Sequence, residues 1–136
     1  MSILDRFRRK STVEDKRVSV EPEDMPEPTD VDGYMRRGWA FHSRGKNDQA
    51  EADFRKALEM DPDSVDANYV LGLVLKAEQK DEAAVEAFKV TINLINNGKI
   101  VEVNRAEMLR RLAKGHINEI REGDWKLEKE IWQRKQ

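Results

Sequence analysis

The chain contains no cysteine, which excludes disulfides and thiolate metal sites. Its two histidines, His42 and His116, stand far apart and lack the spacing of a helical metal motif. No glycine-rich phosphate loop, dinucleotide fingerprint or nucleophile elbow occurs, and the abundant carboxylates read as solvated helix faces. This predicts a chain that is not an enzyme and needs no cofactor or metal. Seven glycines and four prolines are too few for a low-complexity or collagen-like chain. The longest apolar run, residues 69–75, holds a glycine and falls far short of the roughly 20 residues that span a bilayer. An excess of basic charge is also missing. With 25 basic and 27 acidic residues, the balance argues against a general nucleic-acid binder. The N-terminus is basic without an apolar signal core, and Ser2 in place of glycine excludes myristoylation. Together these absences predict a cytoplasmic protein.

What is present is a repeat. Gly38 and Gly72 are 34 residues apart, and so are Ala50 and Ala84, and Phe54 and Phe88. Three matched pairs in one register imply an internal repeat that governs the fold. The apolar spacing predicts helices over about 32–44, 47–60, 65–77 and 81–95. Gly45 closes the first, Pro62 halts the second, and Asp63 or Ser64 caps the third. Small residues at 38, 50, 72 and 84 let paired helices approach closely, and Phe54 and Phe88 fill the space beside them.

These residues resemble the tetratricopeptide repeat. Tyr34, Gly38, Phe41, Gly45, Ala50, Phe54, Ala57 and Pro62 match its pattern in the first unit, and Leu71, Gly72, Leu75, Ala84 and Phe88 in the second. Asn68, Thr91 and Asn96 depart from it. The resemblance implies an all-α fold of antiparallel helix pairs stacked in a right-handed superhelix: six helices in three pairs. The repeats fall at about 32–64 and 65–98, followed by a divergent capping repeat at 104–136. In that third unit Asn104 and Glu107 resemble a capping box for a helix reaching about Arg121. A last helix is expected over about 124–135. Trp125 and Trp132 share one of its faces and Leu127 and Ile131 another. Leu127 and Ile131 are open to plain partial exposure, a homodimer contact, a partner contact, or cover by Ile3, Leu4 and Phe7.

Two segments precede the repeats. Residues 1–10 combine Ile3, Leu4 and Phe7 with Arg6, Arg8, Arg9 and Lys10, a short basic amphipathic stretch. It can lie on an anionic membrane surface at the inner membrane face, dock into a groove of a larger assembly, or remain a frayed end. Residues 11–31 are acidic and carry Pro22, Pro26 and Pro28, which predicts a flexible linker. The linker can also fold back on basic surface of its own chain.

The resemblance further implies a concave groove lined by the first helix of each pair. Its groove positions fall on Met35, Trp39 and His42, then Tyr69, Leu73 and Lys76, then Arg110 and Lys114. The lysine and asparagine clamp by which some relatives grip chaperone tails is absent, since Met35, Trp39 and Val70 hold those positions. The expected partner is a protein or peptide segment with an anchor side chain, and Arg110, Arg111 and Lys114 favour acidic residues in it. Two roles follow: an adaptor that binds a segment in this groove, or a small structural subunit that contacts a complex through its terminal helix and N-terminal arm. Nucleic-acid binding through residues 6–10 is a weaker third.

Overall fold

Side-chain caps open the first helix of the first two units. Asp30 Oδ1 accepts from the Gly33 amide at 2.7 Å, and Ser64 Oγ from the Ala67 amide at 3.1 Å. Each satisfies a first-turn amide that has no partner within the helix. The computed structural model describes residues 20–100 and 102–124. Helices α1 (Val31–Ser43) and α3 (Val65–Ala77) start at these caps. Their partners, α2 (Asn47–Met60) and α4 (Asp81–Asn96), have no side-chain cap. They carry Asp48, and Asp81 with Glu82, in their first turns, where negative charge favours a helix N-terminus. The fifth helix, α5, runs Val103–Glu122.

The first two pairs are joined by the same turn. The Lys46 amide reaches back to Phe41 O and the Lys80 amide to Leu75 O, both at 2.9 Å. The residue before each lies in the left-handed region, Gly45 at φ 74° and Gln79 at φ 62°. The Lys99 amide repeats the pattern onto Leu94 O at 3.1 Å and closes α4. Along the chain α1 packs on α2, α2 on α3, α3 on α4 and α4 on α5, and α3 also touches α5.

The core is built on two glycine–phenylalanine contacts. Phe54 and Phe88 are fully buried. A Cβ placed on Gly38 would stand 2.6 Å from the Phe54 ring, and one on Gly72 the same distance from Phe88. Ala50, Ala57 and Ala84 are likewise fully buried, so the paired helices meet through small residues. The departures from the repeat pattern are satisfied locally. Buried Thr91 donates its hydroxyl to Ala87 O at 2.9 Å, and the Asn68 amide donates to Ser64 O at 2.9 Å and Pro62 O at 3.3 Å. Each fills a core position without leaving its polar group unmade.

Two expectations are corrected. The capping box at Asn104 and Glu107 does not form. The helix begins one residue earlier behind Glu102, without a side-chain cap, and Glu107 pairs with Arg110 instead. Residues 20–30 are a strap rather than a loose linker. A single 3-10 turn at Pro22–Asp24 buries Pro22, and the strap runs antiparallel to α1. Glu21 meets Arg44 at 3.1 Å, Glu23 meets Lys46, and Glu27 meets Arg37 at 2.9 Å and the Tyr34 hydroxyl at 3.0 Å. Arg37 also grips Asp53 of α2 in a fork of 2.8 and 2.9 Å. Among the described residues, the acidic stretch thus pairs with the first helix hairpin. Residues 1–10, with Ile3, Leu4, Arg6, Phe7, Arg8 and Arg9, lie outside the described residues. So do Trp125, Leu127, Ile131 and Trp132 of the expected sixth helix.

Candidate partner-binding cleft

Helices α1, α3 and α5, the first helix of each successive unit, wall a cleft of about 450 Å³. Val31, Met35 and Trp39 reach it from α1 at four-residue spacing, one helical face. Asp66, Tyr69 and Val70 come from α3, and Arg105, Met108 and Leu109 from α5. Each α5 residue follows its α3 counterpart by 39 positions rather than 34. The longer connection after α4 shifts the third unit by five. Its position matching Tyr69 is therefore Met108, and Arg110 and Lys114 are not among the residues that line the cleft. Arg110 is half-buried and held by Glu107.

Two side chains on opposite walls stay open to solvent. Trp39 is 43 % exposed, its ring set edge-on to Phe54 at 6.1 Å and to His42 at 5.8 Å. Met108 is 53 % exposed. Tyr69 differs from its expected role. It packs on the core, 5.9 Å from Phe88 and 6.0 Å from His116 between ring centres, so it is floor as well as surface. Burial raises its hydroxyl pKa.

The polar ridge behind Tyr69 is internally committed. His116 stacks on Phe88 with ring centres 5.0 Å apart and planes 13° from parallel. Lys76 Nζ stands 3.0 Å from His116 Nδ1 and 2.7 Å from Glu119. A lysine only donates, so Nδ1 accepts and Nε2 carries the proton, facing the Tyr69 hydroxyl at 3.3 Å. Burial, reinforced by the Lys76 charge, lowers the His116 pKa to about 4 and keeps the ring neutral near pH 7. His116 is thus a boundary histidine of the core.

Of the residues predicted from the groove pattern, Met35, Trp39 and Tyr69 meet at the cleft. His42 lies further along α1, its Nδ1 2.8 Å from Asn47 Oδ1. Leu73 packs on the core, and Lys76 is tied to His116 and Glu119. Asp32, Asp66 and Arg105 are additional rim residues. Asp32 and Asp66 occupy one repeat position, 34 apart, a signal present in the sequence. Arg105 pairs with Asp66. A second hollow of about 390 Å³ lies along α5 beside Met108, lined by Asn104, Glu107, Arg111 and Leu112.

Among the described residues no group of three or more His, Asp or Glu gathers as metal ligands, and no helix is long and apolar enough to cross a membrane. The stacked hairpins and their open cleft form an all-α helical-repeat scaffold. Residues 31–64 match the tetratricopeptide repeat family. That match covers the first helix pair, α1 and α2. The chain is similar to the type IV pilus assembly protein PilF of Pseudomonas aeruginosa strain PAO1, with 38% identity over 58 residues. That match takes in 43% of the chain and 23% of the relative's length.

Proposed function

We propose that the chain is an adaptor whose cleft across α1, α3 and α5 holds a segment of a partner protein. The exposure of Trp39 on the cleft wall carries this reading. A large aromatic side chain at 43 % exposure opposite an exposed methionine is the composition of an interaction hot spot. The partner segment brings an apolar anchor to the space between Met35, Trp39 and Met108. The acidic partner expected from Arg110 and Lys114 loses its basis, because neither residue lines the cleft. Asp32 and Asp66 on the rim favour a basic residue beside the anchor. The N-terminal segment, as a tether to a membrane or an assembly, would set where the adaptor works.

Capture from native extract tests the cleft. The full chain and the variants Trp39→Ala and Met108→Ser are compared with Val90→Ser, which removes an exposed apolar residue from α4 instead. Loss of the same partner in the two cleft variants, with retention in Val90→Ser, is the expected result. An unchanged set of partners in both cleft variants would overturn the reading. Tyr69 is changed only to Phe, since its ring supports the core.

A structural role in a larger assembly is the second reading. It is favoured by the name of the relative, a pilus assembly protein, and by the second hollow beside Met108. Partner binding that is abolished by Leu112→Asp but survives Trp39→Ala would favour it over the groove.

A further inference from the structure

We infer that residues 1–10 of the same chain occupy the cleft in the absence of a partner, so that the adaptor carries its own competing ligand. This rests on the reading of the cleft as a segment-binding groove and adds its regulation.

The chemistry matches. The cleft offers apolar side chains, Met35, Trp39 and Met108, with carboxylates of Asp32 and Asp66 at its rim. Arg105 occupies Asp66 in part, and Asp32 has no ion-pair or hydrogen-bond partner among the described residues. Residues 1–10 supply the complement: Ile3, Leu4 and Phe7 as apolar anchors, interleaved with Arg6, Arg8 and Arg9. The opposite side of α1 is closed to such a segment. There the strap itself already covers Arg37, Arg44 and Lys46 through Glu27, Glu21 and Glu23.

The reach also closes. The strap fixes Glu21 against Arg44, at the C-terminal end of α1. From there Met35 lies nine residues back along the helix, about 14 Å, and round a cylinder roughly 10 Å thick. A path of about 25 Å results. Residues 11–19 span up to about 30 Å when extended, so the segment arrives with little slack. Three apolar side chains bind weakly as a free peptide. On a tether this short the effective concentration is about millimolar, which is enough for such a contact to be populated.

The chain's freedom from cysteine gives a direct test. A nitroxide is attached to Ser2→Cys in the full chain, and its broadening of signals is read by NMR. The Trp39 indole and the Met35 and Met108 methyl signals should lose most of their intensity, independent of protein concentration, while Val90 keeps its own. Ile3→Ser, Leu4→Ser and Phe7→Ser together should restore the cleft signals and raise partner capture. Unaffected cleft signals overturn the inference. So does broadening that grows with protein concentration, which would assign the segment to a second copy. So does a label that ignores the cleft and is taken up by phosphatidylglycerol vesicles, which would assign it to a membrane. If the cleft signals stay sharp while Trp39→Ala still abolishes capture, this inference falls and the groove reading stands. If they broaden while capture is indifferent to Trp39, the groove reading falls and the claim of competition falls with it.

Discussion

Gln79 holds φ 62° at the turn position where the first pair has Gly45 at φ 74°. A side chain there crowds its own carbonyl, at a cost of roughly 1–2 kcal/mol that glycine avoids, while glycine loses about 0.5–1 kcal/mol more backbone entropy on folding. Gln79→Gly should therefore stabilise the protein by about 0.5–1 kcal/mol, and Gly45→Ala should destabilise it by about 1 kcal/mol. Urea denaturation monitored by circular dichroism reads both. The neighbouring Glu78 is a second strained residue. Burial, then its proximity to the carboxyls of Asp48 and Glu51, pushes its pKa up to about 7. Glu51 is held down to about 2: burial opposes this, but hydrogen bonds from Lys80 at 2.8 Å and Arg55 at 2.7 Å outweigh it. A protonated Glu78 can donate to its acidic neighbours, whereas an ionised one leaves Oε1 buried without a donor. The folded state therefore binds the extra proton between about pH 4.5 and 7, and the stability Glu78 contributes declines as pH rises through that window. His116 acts oppositely: its lowered pKa costs stability as pH falls from 6.5 toward 4. The two slopes overlap, so a single-site variant is needed to separate them. The advantage of Glu78→Gln over the parent should grow by about 1–2 kcal/mol from pH 5 to pH 8, measured by thermal unfolding.

At the scale of elements, the four repeat helices were legible because their signals are local. Caps at Asp30 and Ser64, the turn at Gly45, and small residues at 34-residue spacing fix them to within about a residue. Helix α5 was legible in length but not in register, because the connection before it is longer and nothing nearby counts the five extra residues. Without those five residues, the period alone does not lead from Tyr69 to Met108. That the acidic stretch can fold back on basic surface of its own chain was legible, but its partners were not, since its pairs join residues with no local pattern. Glu27 meets Arg37, and Arg37 meets Asp53 on the next helix. The side chain of Asp53 is only 4% exposed, so the fork from Arg37 is its compensation for burial. Arg37→Ala would strand that carboxylate and should cost about 3 kcal/mol, since breaking a buried pair leaves a charge uncompensated. Glu27→Gln, at an exposed carboxylate, should leave global stability nearly unchanged while loosening the strap. Comparing the two variants by denaturation and by amide exchange in the strap separates the hairpin clasp from the strap contact.

For the whole molecule, function depends on two different kinds of contact. The hairpins are joined by buried apolar surface that salt barely touches, whereas the strap is held at Glu21–Arg44 and Glu23–Lys46 by exposed ion pairs. Raising salt from about 0.05 M to about 0.5 M should therefore accelerate hydrogen exchange at the Asp24 and Met25 amides, which bond within the strap, and leave the amides of α1 protected. Asp32 and Asp66 at one repeat position show that part of the cleft rim could be read from the 34-residue period, as could the groove position of Trp39, which is left exposed because Phe54 takes the space against Gly38. The strap has one more consequence. It decides where the leash on the preceding residues begins. While the ion pairs hold, the leash starts at residue 20; once they are screened, it starts at residue 31 and is eleven residues longer. A leash of nine residues reaches the cleft only when nearly extended, whereas one of twenty has a relaxed span of about 25 Å, so ionic strength would tune how often the N-terminal residues visit the repeats.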